Sequence, residues 1–330
     1  MNFARRMFSA DLIRGPRLAI FAMAALLVAA VAFAACGDDE PSPGAATDEP
    51  STKLSGSIAG DGSSTVFPIT EAVAEEFGKI HDVDVTVGIS GTGGGFKKFC
   101  NGETDFSDAS RPIKDEEKDA CAASGIEYVE FQVAFDGLSI LVNPSVDFVD
   151  CLTVDELASV WKPDSTVESW SDVRAEFPDE PLAGHLYGPG TDSGTFDYFT
   201  DEINGEEGSS RADYTASEDD NVLVQGIAGD DTALGYFGFA YYENNQDKLK
   251  LLAVDDGAGC VTPSRETILD GTYSPLSRPL FVYVAKDALA RPEVAEFMRF
   301  FLTDGVPLVA EVGYVEATDD IYQDGLVLIP

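Results

Sequence analysis

Three stretches of this 330-residue chain share one construction: a strand-like run, a turn of glycine and hydroxyl residues, then a run with helical spacing. The first turn is Gly60-Asp61-Gly62-Ser63-Ser64-Thr65-Val66-Phe67-Pro68. Leu54 to Ile58 before it reads as a short strand, and Ile69, Val73, Phe77 and Ile80 after it fall on one helical face. Pro68 suits the first helical turn, where a missing N–H costs nothing. The second turn, Ser90-Gly91-Thr92-Gly93-Gly94-Gly95, lies between the alternating Val83, Val85 and Val87 and the apolar Phe96 and Phe99. The third, Gly190-Thr191-Asp192-Ser193-Gly194-Thr195, follows Leu186-Tyr187-Gly188-Pro189 and opens a segment with Phe196, Phe199 and Ile203 at helical spacing. Strand and helix alternating in this way require an α/β architecture.

The remaining runs keep the alternation. Val133 to Pro144 reads as a long buried strand interrupted by Asp136, a carboxylate that needs a partner there. Thr153 to Trp161 reads as a helix capped by Thr153 with Glu156 three residues on. Asn221 to Ala228 and Arg291 to Leu302 are further helices, and Ala233 to Ala240 and Pro279 to Ala285 further strands.

Each of the three turns puts hydroxyls and unpaired N–H groups at a helix start, where the positive dipole end also lies; that combination binds anions. A single turn of this kind reads equally well as an ordinary N-cap. Three in one chain favour a built site. The Ser90 turn is no P-loop, because Phe96 precedes the lysine and Lys98 replaces the hydroxyl residue. Arg111, in Asp108-Ala109-Ser110-Arg111-Pro112, has the fork geometry for a tetrahedral oxyanion; a surface ion pair is the alternative.

The N-terminus fixes the compartment. Arg5, Arg6, Arg14 and Arg17 precede an apolar run from Leu18 to Ala35, as in a secretory signal. Ala34-Ala35-Cys36 resembles a lipoprotein lipobox, with Phe33 in the place usual for Leu, so residues 1–36 read as a signal peptide ending at an acylated Cys36. A single transmembrane anchor is the other reading of that run. Residues 37–53, rich in Asp, Pro, Gly, Ser and Thr, read as a flexible tether. Four cysteines remain, an even count that suits disulfides outside the cytoplasm. Of the three possible pairings, the preferred one joins Cys100 to Cys121, closing a local loop, and Cys151 to Cys260, tying distant parts of one domain. No CxxC pair is present and His81 and His185 stand apart, which argues against zinc.

Beyond the signal region 17 basic residues face 58 acidic ones, a net charge of about -41. Phosphate-backbone binding needs basic patches, so nucleic acid is excluded as a partner. A nucleophile–histidine arrangement is missing as well, which disfavours an exported phosphatase or serine hydrolase.

Taken in order, Gly62-Ser63-Ser64-Thr65-Val66-Phe67-Pro68, Ser90 to Phe96, Asp108 to Pro112, Ala134-Phe135-Asp136-Gly137 and Gly190 to Thr195 resemble the phosphate-binding proteins of bacterial ABC importers (PstS type), in their lipoprotein branch. The resemblance runs from about Leu54 to the C-terminus. It implies a type II periplasmic-binding-protein fold, two α/β lobes joined by two crossing strands with the ligand in the cleft. The lobes would be residues 54–138 with 279–330, and 139–278. Ser64, Thr65, Thr92 and Ser110 would bind phosphate from the first lobe and Ser193, Gly194 and Thr195 from the second. Pro189 stands where many members carry an arginine, so Arg111 is expected to supply the guanidinium. A carboxylate that accepts the ligand's proton would reject sulfate, and Asp136 ranks before Asp108 and Asp192 for that task. No cofactor or metal is implied. The partners would be inorganic phosphate, a membrane permease and the outer face of the cytoplasmic membrane through the lipid anchor, with the chain a monomer. Another tetrahedral oxyanion, such as sulfate, arsenate or tungstate, or a phosphate-sensing role, is the alternative.

Overall fold

The computed structural model describes residues 53–191 and 193–330. Residues 1–36, read as a signal peptide ending at Cys36, nearly all of the expected tether and Asp192 lie outside the described residues. Among the described residues no helix is long and apolar enough to cross a membrane.

The first strand, β1 (Ser55–Gly62), runs parallel to β2 (Asp82–Ile89) on one side and to β3 (Phe106–Ala109) on the other. Next in the chain come β4 (Tyr128–Val142), β5 (Cys151–Thr153), β6 (Leu186–Pro189) and β7 (Thr215–Ser217). They are followed by β8 (Leu234–Gly238), β9 (Lys250–Asp255), β10 (Cys260–Val261), β11 (Ser277–Ala285) and β12 (Val315–Glu316). The main path through them is β2-β1-β3-β11-β4-β8-β6-β7.

Strand β4 organises the molecule. From Tyr128 to Gly137 it is antiparallel to β11, and from Leu138 to Val142 it is antiparallel to β8. One strand thus serves two sheet halves, and its partner changes between Gly137 and Leu138. Ten consecutive buried residues from Val133 to Val142 fit that position, because helices and loops cover both faces there. The result is a two-lobed α/β fold.

Helix packing sets the turns that matter. In α1 (Phe67–Ile80) the buried Ile69, Val73 and Phe77 recur every four residues, and Phe77 meets Phe297 edge-on at 5.4 Å. In α2 (Gly91–Cys100) Phe96, Phe99 and Cys100 are buried. Gly95 of α2 lies against β1: a Cβ there would stand 2.5 Å from Gly62 Cα and 2.7 Å from Ser107 Oγ. Only glycine permits that approach, and the approach brings Thr92 to Ser110. In the other half Phe199 stacks on Tyr236 at 3.7 Å, with Trp161 edge-on to both, which seats the helix Gly194–Phe199 on its sheet.

Thr153 and Glu156 form the capping box read from the sequence, with bonds of 3.1 and 2.8 Å. The apolar run 233–240 divides differently: β8 ends at Gly238, and Phe239–Glu243 is a helix. Disulfides join Cys100 to Cys121 and Cys151 to Cys260, spanning 21 and 109 residues. The longer one links β5 to β10, and its loop closure is worth about 4–5 kcal/mol in the chain-entropy model.

Candidate functional site

A cavity of about 530 Å³ opens where the first two turns meet β11. Ser63, Ser64 and Thr65 line it from the β1–α1 turn, Ser90, Thr92 and Gly93 from the start of α2, and Ser110 and Arg111 from the loop after β3. The turns are locked by short bonds. Ser63 N–H donates to Asp108 O at 3.0 Å, Thr65 N–H to Ser63 Oγ at 3.2 Å, and Ser110 N–H to Thr92 Oγ1 at 3.1 Å. The Thr92 and Ser110 hydroxyls lie 3.1 Å apart and face the same space.

The guanidinium best placed in this cavity belongs to Arg278, which the turn pattern does not reveal. Arg278 lies on β11 directly opposite Asp136 of β4. Its Nε and Nη2 each donate to Asp136 Oδ2 at 3.3 Å, and Nη2 also donates to Thr65 Oγ1 at 2.8 Å. The Tyr198 ring lies beneath it, 3.5 Å from centroid to Cζ, a cation–π contact. The Arg278 side chain keeps 19% exposure, directed to the cavity, whereas Asp136 is 2% exposed and does not line it. Burial pushes the Asp136 carboxyl upward, and the Arg278 charge pulls it back. Asp136 therefore holds Arg278 from behind.

Arg111 lines the same cavity, but its fork is engaged by Glu117, Nη1 to Oε2 at 2.9 Å and Nη2 to Oε1 at 2.8 Å. The Glu117 carboxylate already occupies the bidentate position that an oxyanion would take. Ser193, Gly194 and Thr195 line a neighbouring cavity of about 360 Å³, which shares Ser64 with the first. Ser193 Oγ caps the helix by accepting from Thr195 N–H at 3.2 Å. Between the two cavities the chain closes on itself. Thr65 Oγ1 donates to Gly194 O at 3.4 Å, and Ser64 Oγ donates to Asp197 Oδ2 at 3.1 Å. A Cβ on Gly194 would stand 2.6 Å from Thr65 Cα, so glycine is required for this contact too.

The facing side of the larger cavity is acidic, with Asp197, Asp201, Glu202 and Glu207. Asp108 lies behind the turns, fully buried. Burial pushes it up to about 8; the Thr70 hydroxyl pulls it back and Asp61 adds to the rise. Among the described residues no group of three or more His, Cys, Asp or Glu is placed to hold a metal ion. His81 accepts from Leu54 N–H and His185 bonds Asp230, both away from the cavity.

Chemically, the arrangement offers hydroxyl donors and one fixed guanidinium around a space that suits a small oxyanion. A family model described as a PBP superfamily domain matches residues 47–305. The chain is 52% identical over 262 residues to the protein SphX of Synechococcus elongatus, covering 78% of this chain and 77% of that one. It is 44% identical over 268 residues to the phosphate-binding protein PstS of Staphylococcus saprophyticus, covering 80% and 82%. The crystal structure of a possible phosphate binding protein from Planctomyces limnophilus matches with a TM-score of 0.79 at 52% identity, covering 83% of this chain and 99% of that one.

Proposed function

The chain belongs to the PBP superfamily and, within it, to the PstS-type phosphate-binding proteins, and on that premise we propose that it captures inorganic phosphate and delivers it to an ABC importer. It acts as a binding protein and not as an enzyme. The observation that carries the reading is Arg278, a guanidinium fixed at three points and facing a cavity edged by Ser64, Thr65, Thr92 and Ser110. The hydroxyls donate to phosphate oxygens, and Arg278 supplies charge-assisted bonds from the floor. Arg111 contributes at the rim once the ligand competes with Glu117. Ser193, Gly194 and Thr195 join when the Thr65–Gly194 contact resets and the two cavities merge. The lobes are taken as residues 54–138 with 279–330, and residues 139–278, so that β4 and β11 cross between them.

Asp197 is the better acceptor for the ligand's proton. It lines the cavity beside Ser64, whereas Asp136 is buried and committed to Arg278. The chain is taken to be exported by residues 1–36, anchored through Cys36 to the outer face of the cytoplasmic membrane, and monomeric. Signal-like residues 1–36 and the family's role in import support that placement.

Titrating phosphate into two single variants tests the site. Charge-assisted hydrogen bonds contribute about 1.5–3 kcal/mol each, so Arg278→Ala should weaken phosphate tenfold or more. Arg111→Ala should weaken it less, because Glu117 already neutralises that side chain. Wild-type affinity in Arg278→Ala would refute the assignment.

A further inference from the structure

The cleft carries more carboxylates than an anion site should accept unaltered. Asp197 from the helix Gly194–Phe199, Asp201 and Glu202 from the turn after it, and Glu207 beyond form one wall. Facing them are Arg278 from β11 and Arg111 and Lys114 from the segment after β3; among the described residues no other charged group lines the cavity. Tyr198 also lines it, but burial drives its phenol far above the usual range and keeps it neutral. Two of the three cations are already matched, Arg278 by Asp136 behind it and Arg111 by Glu117 beside it. With every carboxylate ionised, the acids in and behind the lining outnumber the cations by two to one.

Partial loss of solvent raises Asp197, Glu202 and Glu207 above their ordinary values. The Asp201 charge adds to the rise at Glu202, and the Asp197 and Asp201 charges add to it at Glu207. In all three the positive charge of Arg278 works the other way. An anion seated on Arg278 offsets that restraint and adds negative charge at short range. Both changes favour the protonated carboxyl.

We propose that this acidic wall couples anion capture to proton uptake, so that the cleft takes up phosphate together with protons held on Glu202 and Glu207, while Asp197, which accepts from Ser64 Oγ, stays the ligand's acceptor. The inference rests on the phosphate reading above and deepens it. Capture would strengthen as pH falls through the range of these carboxyls and weaken as pH rises. Residues 37–330 carry a net charge of about -41, and the coupling would let the site relieve its own repulsion locally.

Calorimetry at one pH in buffers of different ionisation enthalpy reads the protons taken up per phosphate bound. The protein is compared with the Glu202→Gln/Glu207→Gln variant; both side chains are exposed at the cleft mouth, so the fold should hold. Phosphate's own titration is common to both and cancels in the difference. The wild type should take up more protons per phosphate than the variant, and the variant should bind phosphate several-fold more tightly at pH 8. Equal uptake in both proteins, with phosphate still bound, overturns the coupling and leaves the phosphate reading standing. Absence of phosphate binding by the wild type in every buffer overturns both.

Discussion

Replacing Asp136 by Asn removes the carboxylate that holds Arg278 while keeping the shape of the side chain. The two groups meet at 3.3 Å with Asp136 only 2% exposed. At an effective dielectric of about 20 the attraction is about 5 kcal/mol before desolvation is subtracted. Stranding one member of a buried pair typically costs about 3–5 kcal/mol. Here Arg278 keeps Thr65 Oγ1 and the Tyr198 ring, and the Asn amide oxygen can still accept, so we expect about 2–4 kcal/mol. At roughly 2–4 °C per kcal/mol for a protein of this size, Tm should fall by about 5–15 °C in a calorimetric scan. Phosphate at a thousand times its Kd would return about 4 kcal/mol and restore most of the loss. Phosphate affinity itself should hold or rise, because a negative charge near the ligand has been removed. A variant as stable as wild type would refute the view that Asp136 acts by holding Arg278.

The other predictions concern neighbouring carboxyls. Asp108, pushed up to about 8, keeps its proton when folded, while the unfolded chain releases it near pH 4. Below about pH 4 both states are protonated; between about 4 and 8 only the unfolded chain is ionised, so stability falls as pH rises and levels off above 8. The full span is at most about 5 kcal/mol, and Asp108→Asn should flatten the slope between pH 5 and 8 in urea unfolding; an unaltered slope would count against the assignment. Asp197→Asn should give measurable sulfate heat where the wild type gives none, and persistent rejection would move that role to another residue.

How far the site could be read from the sequence depended on whether each feature is local. The turns at Ser64, Thr92 and Ser193 announce themselves because glycine, hydroxyls and helix-start geometry lie within a few residues. Arg278 does not, because its role comes from a cross-strand register with Asp136, 142 residues away in the chain. The buried Asp136 demanded a partner, and nothing local said which. The engagement of Arg111 was within reach, since Glu117 sits three residues past Lys114 at a helix start and Arg111 only six residues from it. Which cavity Ser193 to Thr195 face was not, because it follows from Gly194 packing on Thr65. The apolar run 233–240 hid the end of β8, since burial looks alike in strand and helix. The acidic wall was invisible against 59 acidic residues, where charge carries no contrast.

The most direct test of the account is a calorimetric titration of residues 51–330, which form one compact unit, with phosphate and then with sulfate. One saturable phosphate site per chain, with no heat from sulfate and phosphate binding at least tenfold weaker in Arg278→Ala, is the predicted result. Sulfate binding as tight as phosphate, or no phosphate binding by the wild type, would contradict it.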